Sequence, residues 1–139
     1  MSLKGRTAEA TLRVPRLTAE AASVSAAPDF PAALPRSRLS GLMELAAARA
    51  LRPALRDGES SITLSLEITH ALSGPAHGNL RAVATHQGVN GRVHRFLAHV
   101  FDESGLIASG EIARAVVADR RIVGLARRGL GRVSMLLGV

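Results

Sequence analysis

The sequence predicts an α+β fold in which a curved antiparallel sheet of about five strands wraps one long buried helix. Two observations predict it. Residues Arg38 to Leu51, RLSGLMELAAARAL, are apolar on almost every side through Leu39, Leu42, Met43, Leu45, Ala46, Ala47, Ala48, Ala50 and Leu51. Such a pattern marks a helix buried all round. Beyond it the chain changes to strand-like alternation separated by turn signals.

Each element follows from local chemistry. Thr7 to Val14 alternates weakly and stops before Pro15, which fits a first strand. Residues 17–37 carry Pro28, Pro31 and Pro35 and one aromatic, Phe30. They read as a long loop, either a lid or a plain connector. Ser37 or Ser40 caps the helix, and Pro53 ends or kinks it before an Asp57-Gly58 turn. Ser61 to His70, SITLSLEITH, alternates with period two, so Ile62, Leu64, Leu66, Ile68 and His70 are expected on the helix side. Gly78 to Val89 forms the next strand, and Asn90-Gly91 is a two-residue hairpin signal. Arg92 to Asp102 returns with His94, Phe96, Ala98 and Val100 on one face. Leu106 to Ala118 closes the sheet with Ala108, Gly110, Ile112, Arg114 and Val116 on one face. Gly110 inside a strand implies close approach of another backbone, with the helix as candidate.

Composition narrows the function classes. The 139 residues fit one domain over residues 1–119 followed by a basic tail over 120–139. There is no Cys, which excludes disulfides, thiol catalysis and cysteine metal sites. The five His lack ligand spacing, so no metal is expected. No run approaches the ~20 apolar residues of a membrane span, and the N-terminal MSLKGRTAEATLRV has no long apolar segment. A cytoplasmic protein without stable membrane insertion is expected. Of the net charge of +7, five positive charges are the Arg residues from Arg120 onward. That excess is a tail property, and with no Trp or Tyr to stack bases nucleic acid is not an expected partner. Gly124, Gly129, Gly131 and Gly138 each weaken a tail helix by roughly 1 kcal/mol, so the tail is either loosely ordered or a short docked helix.

Two polar residues stand out against this core. Glu44 sits mid-helix between Gly41 and Ala48 on the same face. A lone buried carboxylate must be paired, hydrogen-bonded or protonated. His70 ends the apolar strand face, either as a satisfied core histidine or within reach of a carboxylate on the helix. Arg114 on a core-facing position is unusual, and points to a rim contact or an anion.

The run FPAALPRSRLSGLMELAAARALRP, then DGESSITLSLEITH, Gly78, NGR and GLIASGEIARAVV, resembles the fluoroacetyl-CoA thioesterase-like branch of the hotdog-fold thioesterases over roughly residues 8 to 120. The resemblance implies a hotdog fold and an acyl-CoA thioesterase with no cofactor beyond the CoA of its substrate. It also implies a homodimer, with a tetramer as the further alternative. The family's catalytic glutamate falls on Glu44, its catalytic histidine on His70, its last-strand arginine on Arg114 and its lid aromatic near Phe30. A threonine that relatives carry before the helix aligns with Arg36, leaving Ser37 as the nearest catalytic hydroxyl. Phe30, Arg36, Ser40, Gly41, Gly78 and Arg114 are the substrate-binding candidates. A second histidine of the relatives is Ile112 in this chain. Two readings follow: thioester hydrolysis by Glu44 and His70, or a non-catalytic hotdog protein that binds an acyl-CoA-like ligand. The small side chains lining the helix suggest some room for an acyl group without naming it.

Overall fold

The computed structural model describes residues 3–12, 36–71 and 78–121, with the side chains of Leu12, Arg36, Ser37 and His70 outside that set. Among the described residues the elements follow in the order β1 (Thr7–Leu12), α1 (Arg36–Leu51), a 3₁₀ turn (Arg52–Ala54), β2 (Glu59–Ala71), β3 (Leu80–Asn90), β4 (Val93–Asp102) and β5 (Gly105–Ala118). The strands form one antiparallel sheet in the order β1-β3-β4-β5-β2, with α1 packed on one face. This is the α+β arrangement the sequence predicts. Phe30, His77 and residues 122–139 lie outside the described residues.

The core is aliphatic and lies between α1 and the sheet. Leu39, Leu42, Met43, Ala46, Ala47, Ala50 and Leu51 of the helix meet Leu80, Ala82, Ala84, Phe96, Ala98, Val100, Ala108 and Ile112 of the strands. Alanines at the contact let the helix approach closely, and most are fully buried. They are packed rather than open, so they leave less room than their size suggests.

The helix is not buried all round. Gly41, Leu45 and Arg49 are exposed at four-residue spacing, and Leu45 retains 41% of its surface. A single sheet covers one side of a helix, and the i, i+4 row on the far side remains open. Arg49 uses that edge to donate to the Glu9 carbonyl of β1 at 3.1 Å.

The alternation of β2 is interrupted twice, between Thr63 and Ser65 and between Ile68 and His70. Each irregularity shifts which residues face the helix. Ile62 and Leu64 therefore pack with Ala115 and Val117, whereas Leu66 and Ile68 join the main core. Ser61 and Thr63 share the face of Arg114 instead. His70 sits opposite Ser109, past the second irregularity in the register.

Two glycines have definite structural reasons. The β3–β4 ladder closes at Asn90↔Val93, making Gly91-Arg92 the hairpin loop, one residue beyond the expected pair. Gly91 has φ +63°, which other residues adopt at a cost. A Cβ on Gly110 would stand 2.6 Å from the Glu67 carbonyl oxygen. The close backbone is thus that of β2, not the helix. Gly110→Ala must push β2 and β5 apart and is expected to destabilise the fold by about 1–3 kcal/mol. A lowered urea midpoint checks this, and an unchanged one contradicts the close approach.

Candidate active site on the helix side of the sheet

Arg114 is the best-defined polar group on the helix-facing side. It is only 8% exposed. Its Nε donates to Ser61 Oγ at 3.0 Å, Nη1 to Thr63 Oγ1 at 2.6 Å and Nη2 to the Ser61 carbonyl at 2.7 Å. Three of the guanidinium's five N–H groups are thereby used on β2. The β2 irregularity after Thr63 makes this possible, because it leaves two hydroxyl residues where apolar ones were expected. Burial pushes the Arg114 guanidinium below its ordinary range, and the Glu44 carboxylate opposes that shift. Glu44 is half-buried on α1. The helix and β5 thus bring the carboxylate and the guanidinium into electrostatic range. Arg114 is bonded inward, toward β2.

The other sequence candidates are distributed more widely. Ser40 is half-buried and Gly41 exposed on the N-terminal half of α1. Arg36 and Ser37 fall in the first turn of α1, so neither serine precedes the helix as an N-cap residue. Gly78 has φ +79°, and a Cβ there would run into the Glu103 side chain in the β4–β5 turn. That turn is the far end of β5 from Arg114, so Gly78 stands apart from the Glu44–Arg114 pair. His70, opposite Ser109, is five residues from Arg114 along the β5 ladder, or roughly 17 Å of strand. Ile112 is 2% exposed and belongs to the core.

Sequence reasoning missed a histidine pair. His86 Nε2 and His94 Nδ1 lie 3.0 Å apart, with the His86 ring edge-on to Phe96. His86 is 2% exposed. His94 is half-buried and stands directly opposite Arg114 in the β4–β5 register. The signal lay in two histidines on the apolar faces of one hairpin, Leu80-Ala82-Ala84-His86 and His94-Phe96-Ala98-Val100. The irregularity between His86 and Gly88, which brings them together, is not visible in the sequence.

On the opposite, outer face a cleft of about 520 Å³ is lined by Ser65, Glu67, Gln87, Arg95 and Glu111 among others. The sheet separates it from Glu44 and Arg114. No helix among the described residues is long and apolar enough to cross a membrane.

A helix laid on a five-stranded antiparallel sheet, with a carboxylate on the helix and polar groups on the facing strands, defines the hotdog class. Comparison with known proteins places the chain within it: it belongs to the FlK family, the fluoroacetyl-CoA-specific thioesterases, whose model matches residues 17–120. It is similar to the fluoroacetyl-CoA thioesterase of Streptantibioticus cattleyicolor, at 32% identity over 89 residues. That match spans 64% of this chain and 64% of the relative's length. A solved structure of the fluoroacetyl-CoA thioesterase FlK superposes with a TM-score of 0.77 at 26% identity, covering 91% of this chain and 96% of that one. A hot-dog-like protein of Thermanaerovibrio acidaminovorans shares the fold, with a TM-score of 0.74 at 18% identity over 94% of this chain and 96% of that one.

The histidine pair gives a pH dependence. Burial lowers the pKa of both rings, and for His94 the neighbouring His86 lowers it further. The folded state therefore takes up protons less readily than the unfolded chain. Its stability is complete above the ordinary imidazole pKa of ~6.5 and falls as pH drops from there through the lowered folded-state values. The thermal midpoint should fall between about pH 7 and about pH 5, and fall less in a His86→Leu/His94→Leu double variant. A pH-independent midpoint contradicts this.

Proposed function

We propose that the protein hydrolyses acyl-CoA thioesters, with Glu44 as base or nucleophile and His70 as acid/base. The observation that carries this reading is the Glu44 carboxylate, held in the field of a buried guanidinium on the helix side of the sheet, in a chain of a thioesterase family. The thioester carbonyl sits near the N-terminal half of α1, where free backbone N–H groups favour the developing oxyanion. The first turn of α1 carries no acidic residue to oppose that charge. Glu44 takes a proton from water as the water oxygen bonds to the carbonyl carbon. Alternatively, its carboxylate attacks directly, and water then opens the anhydride. On either route the C–S bond breaks as the tetrahedral intermediate collapses, and His70 passes a proton to the departing CoA thiolate, a proton that the added water supplies to the site. Arg114 faces the Glu44 charge and holds β2 in place. Ser37 is the hydroxyl nearest the position where relatives carry threonine, and Arg36 occupies that position itself. Phe30, Ser40, Gly41, Gly78 and Arg114 remain the substrate-binding candidates. The exposed Arg120 and Arg121 after β5 suit the CoA phosphates.

A homodimer is the expected working form, because β1 and β2 are the edge strands of the sheet among the described residues. A specific observation favours the second reading, a non-catalytic binder of acyl-CoA-like ligands. Ile112 fills the core at the position where relatives carry a second histidine. Thiol release from short, aromatic and fluorinated acyl-CoAs separates the two. The enzyme reading expects turnover of one class, with a kcat loss of ~10² to 10⁴ in Glu44→Gln. Ligand-induced thermal stabilisation without turnover establishes the binder instead, and full activity in Glu44→Gln sinks the assignment of Glu44.

A further inference from the structure

The His86–His94 pair takes no part in the chemistry proposed above, yet its geometry is specific. His86 Nδ1 is buried with no hydrogen-bond partner, while its Nε2 meets His94 Nδ1 at 3.0 Å. Only one hydrogen can occupy that contact, and the network decides which ring supplies it. A proton on His86 Nδ1 would create an orphaned buried N–H, the rarer and costlier kind of unsatisfied group. His86 is therefore the Nε2–H tautomer and donates to His94 Nδ1. His94 must then carry its own proton on Nε2. That nitrogen is not among the buried unpartnered atoms, and no described protein group bonds to it, so the donor is accessible.

We infer that His94, fixed by His86 as an Nε2–H donor, is a binding residue of the site and selects a small acyl group carrying an oxygen acceptor of its own, as in a hydroxyacyl thioester. This rests on the acyl-CoA reading. His94 stands opposite Arg114 across β4–β5, and Arg114 is in range of Glu44, so the donor belongs to the same side of the sheet as the proposed chemistry. Arg114 turns its bonds toward β2, away from β4, and leaves the His94 side to a neutral donor. The next residues along the same face, Phe96 and Ile112, are apolar and buried. An alkyl chain there leaves the donor unpaired, and a site built to hydrogen-bond a substrate group discriminates strongly against analogues lacking it. The fully buried alanines Ala46, Ala47, Ala82, Ala84 and Ala98 close the helix onto the sheet and favour a short group. His86 acts through His94 and is a positioning residue.

The test uses the full chain with ¹⁵N-labelled histidine. Its ligands are carbonyl-retaining methylene-thioether analogues of hydroxyacetyl-CoA and the near-isosteric propionyl-CoA. His94 should show a bare Nδ1 and a protonated Nε2, and the hydroxyacetyl analogue alone should move the Nε2 resonance. In kinetics, His86→Leu should raise KM for hydroxyacetyl-CoA by about tenfold or more, with propionyl-CoA and kcat changed less than about threefold. His86→Gln, which keeps an N–H donor at similar reach, should restore most of the loss. A protonated His94 Nδ1, equal losses on both acyl groups or failure of the Gln rescue overturns the inference. If the wild type hydrolyses neither thioester, the hydrolase reading is decided by the wider acyl-CoA panel instead. The ring resonances and analogue affinities then still decide this one.

Discussion

The helix side of the sheet depends on burying one guanidinium. Arg114 reaches the interior from β5 and is anchored by two hydroxyls and one carbonyl of β2. A buried charge is tolerated only when its hydrogen bonds are made and a counter-charge lies within range. Ser61 and Thr63 supply the bonds, and Glu44 of α1 supplies the opposing charge. The three contributing elements, α1, β2 and β5, are therefore coupled at one place. Removing the fork would leave two hydroxyls unpaired, loosen an edge strand and take away the charge that faces Glu44.

The same region explains why β2 is irregular. An unbroken strand would set Ile62 and Leu64 against the helix and turn Ser61 and Thr63 outward. The irregularity after Thr63 reverses this, so the strand serves Ala115 and Val117 at one end and the main core at the other. Gly110 lies further along the same β2–β5 ladder and admits the Glu67 carbonyl where a side chain would block it. Irregularities of this kind concentrate where a strand must re-aim side chains for a site.

Much of the fold was legible because hydrophobic period is a strong signal. The helix, the order of the strands and the faces of β4 and β5 all follow from residues such as Phe96, Ala98, Ile112 and Arg114. Glu44 and Arg114 also stood out, since charges on apolar faces demand partners. What escaped were features set by tertiary contacts. The two shifts in β2, the exposed Gly41-Leu45-Arg49 row and the shift that joins His86 to His94 leave no local pattern in composition. The unbroken period of SITLSLEITH misled for that reason: its alternation is real in sequence but is cut by insertions that only pairing with β5 reveals.

The most direct measurement is on Arg114→Lys, which keeps a positive charge but loses the planar fork. Backbone hydrogen exchange over residues 59–64 and thioester hydrolysis would be followed on the same sample. If the guanidinium couples β2, α1 and the reaction, exchange in that segment accelerates and hydrolysis falls with it. Unchanged exchange together with unchanged hydrolysis would contradict the account, because a simple positive charge would then be all that position requires.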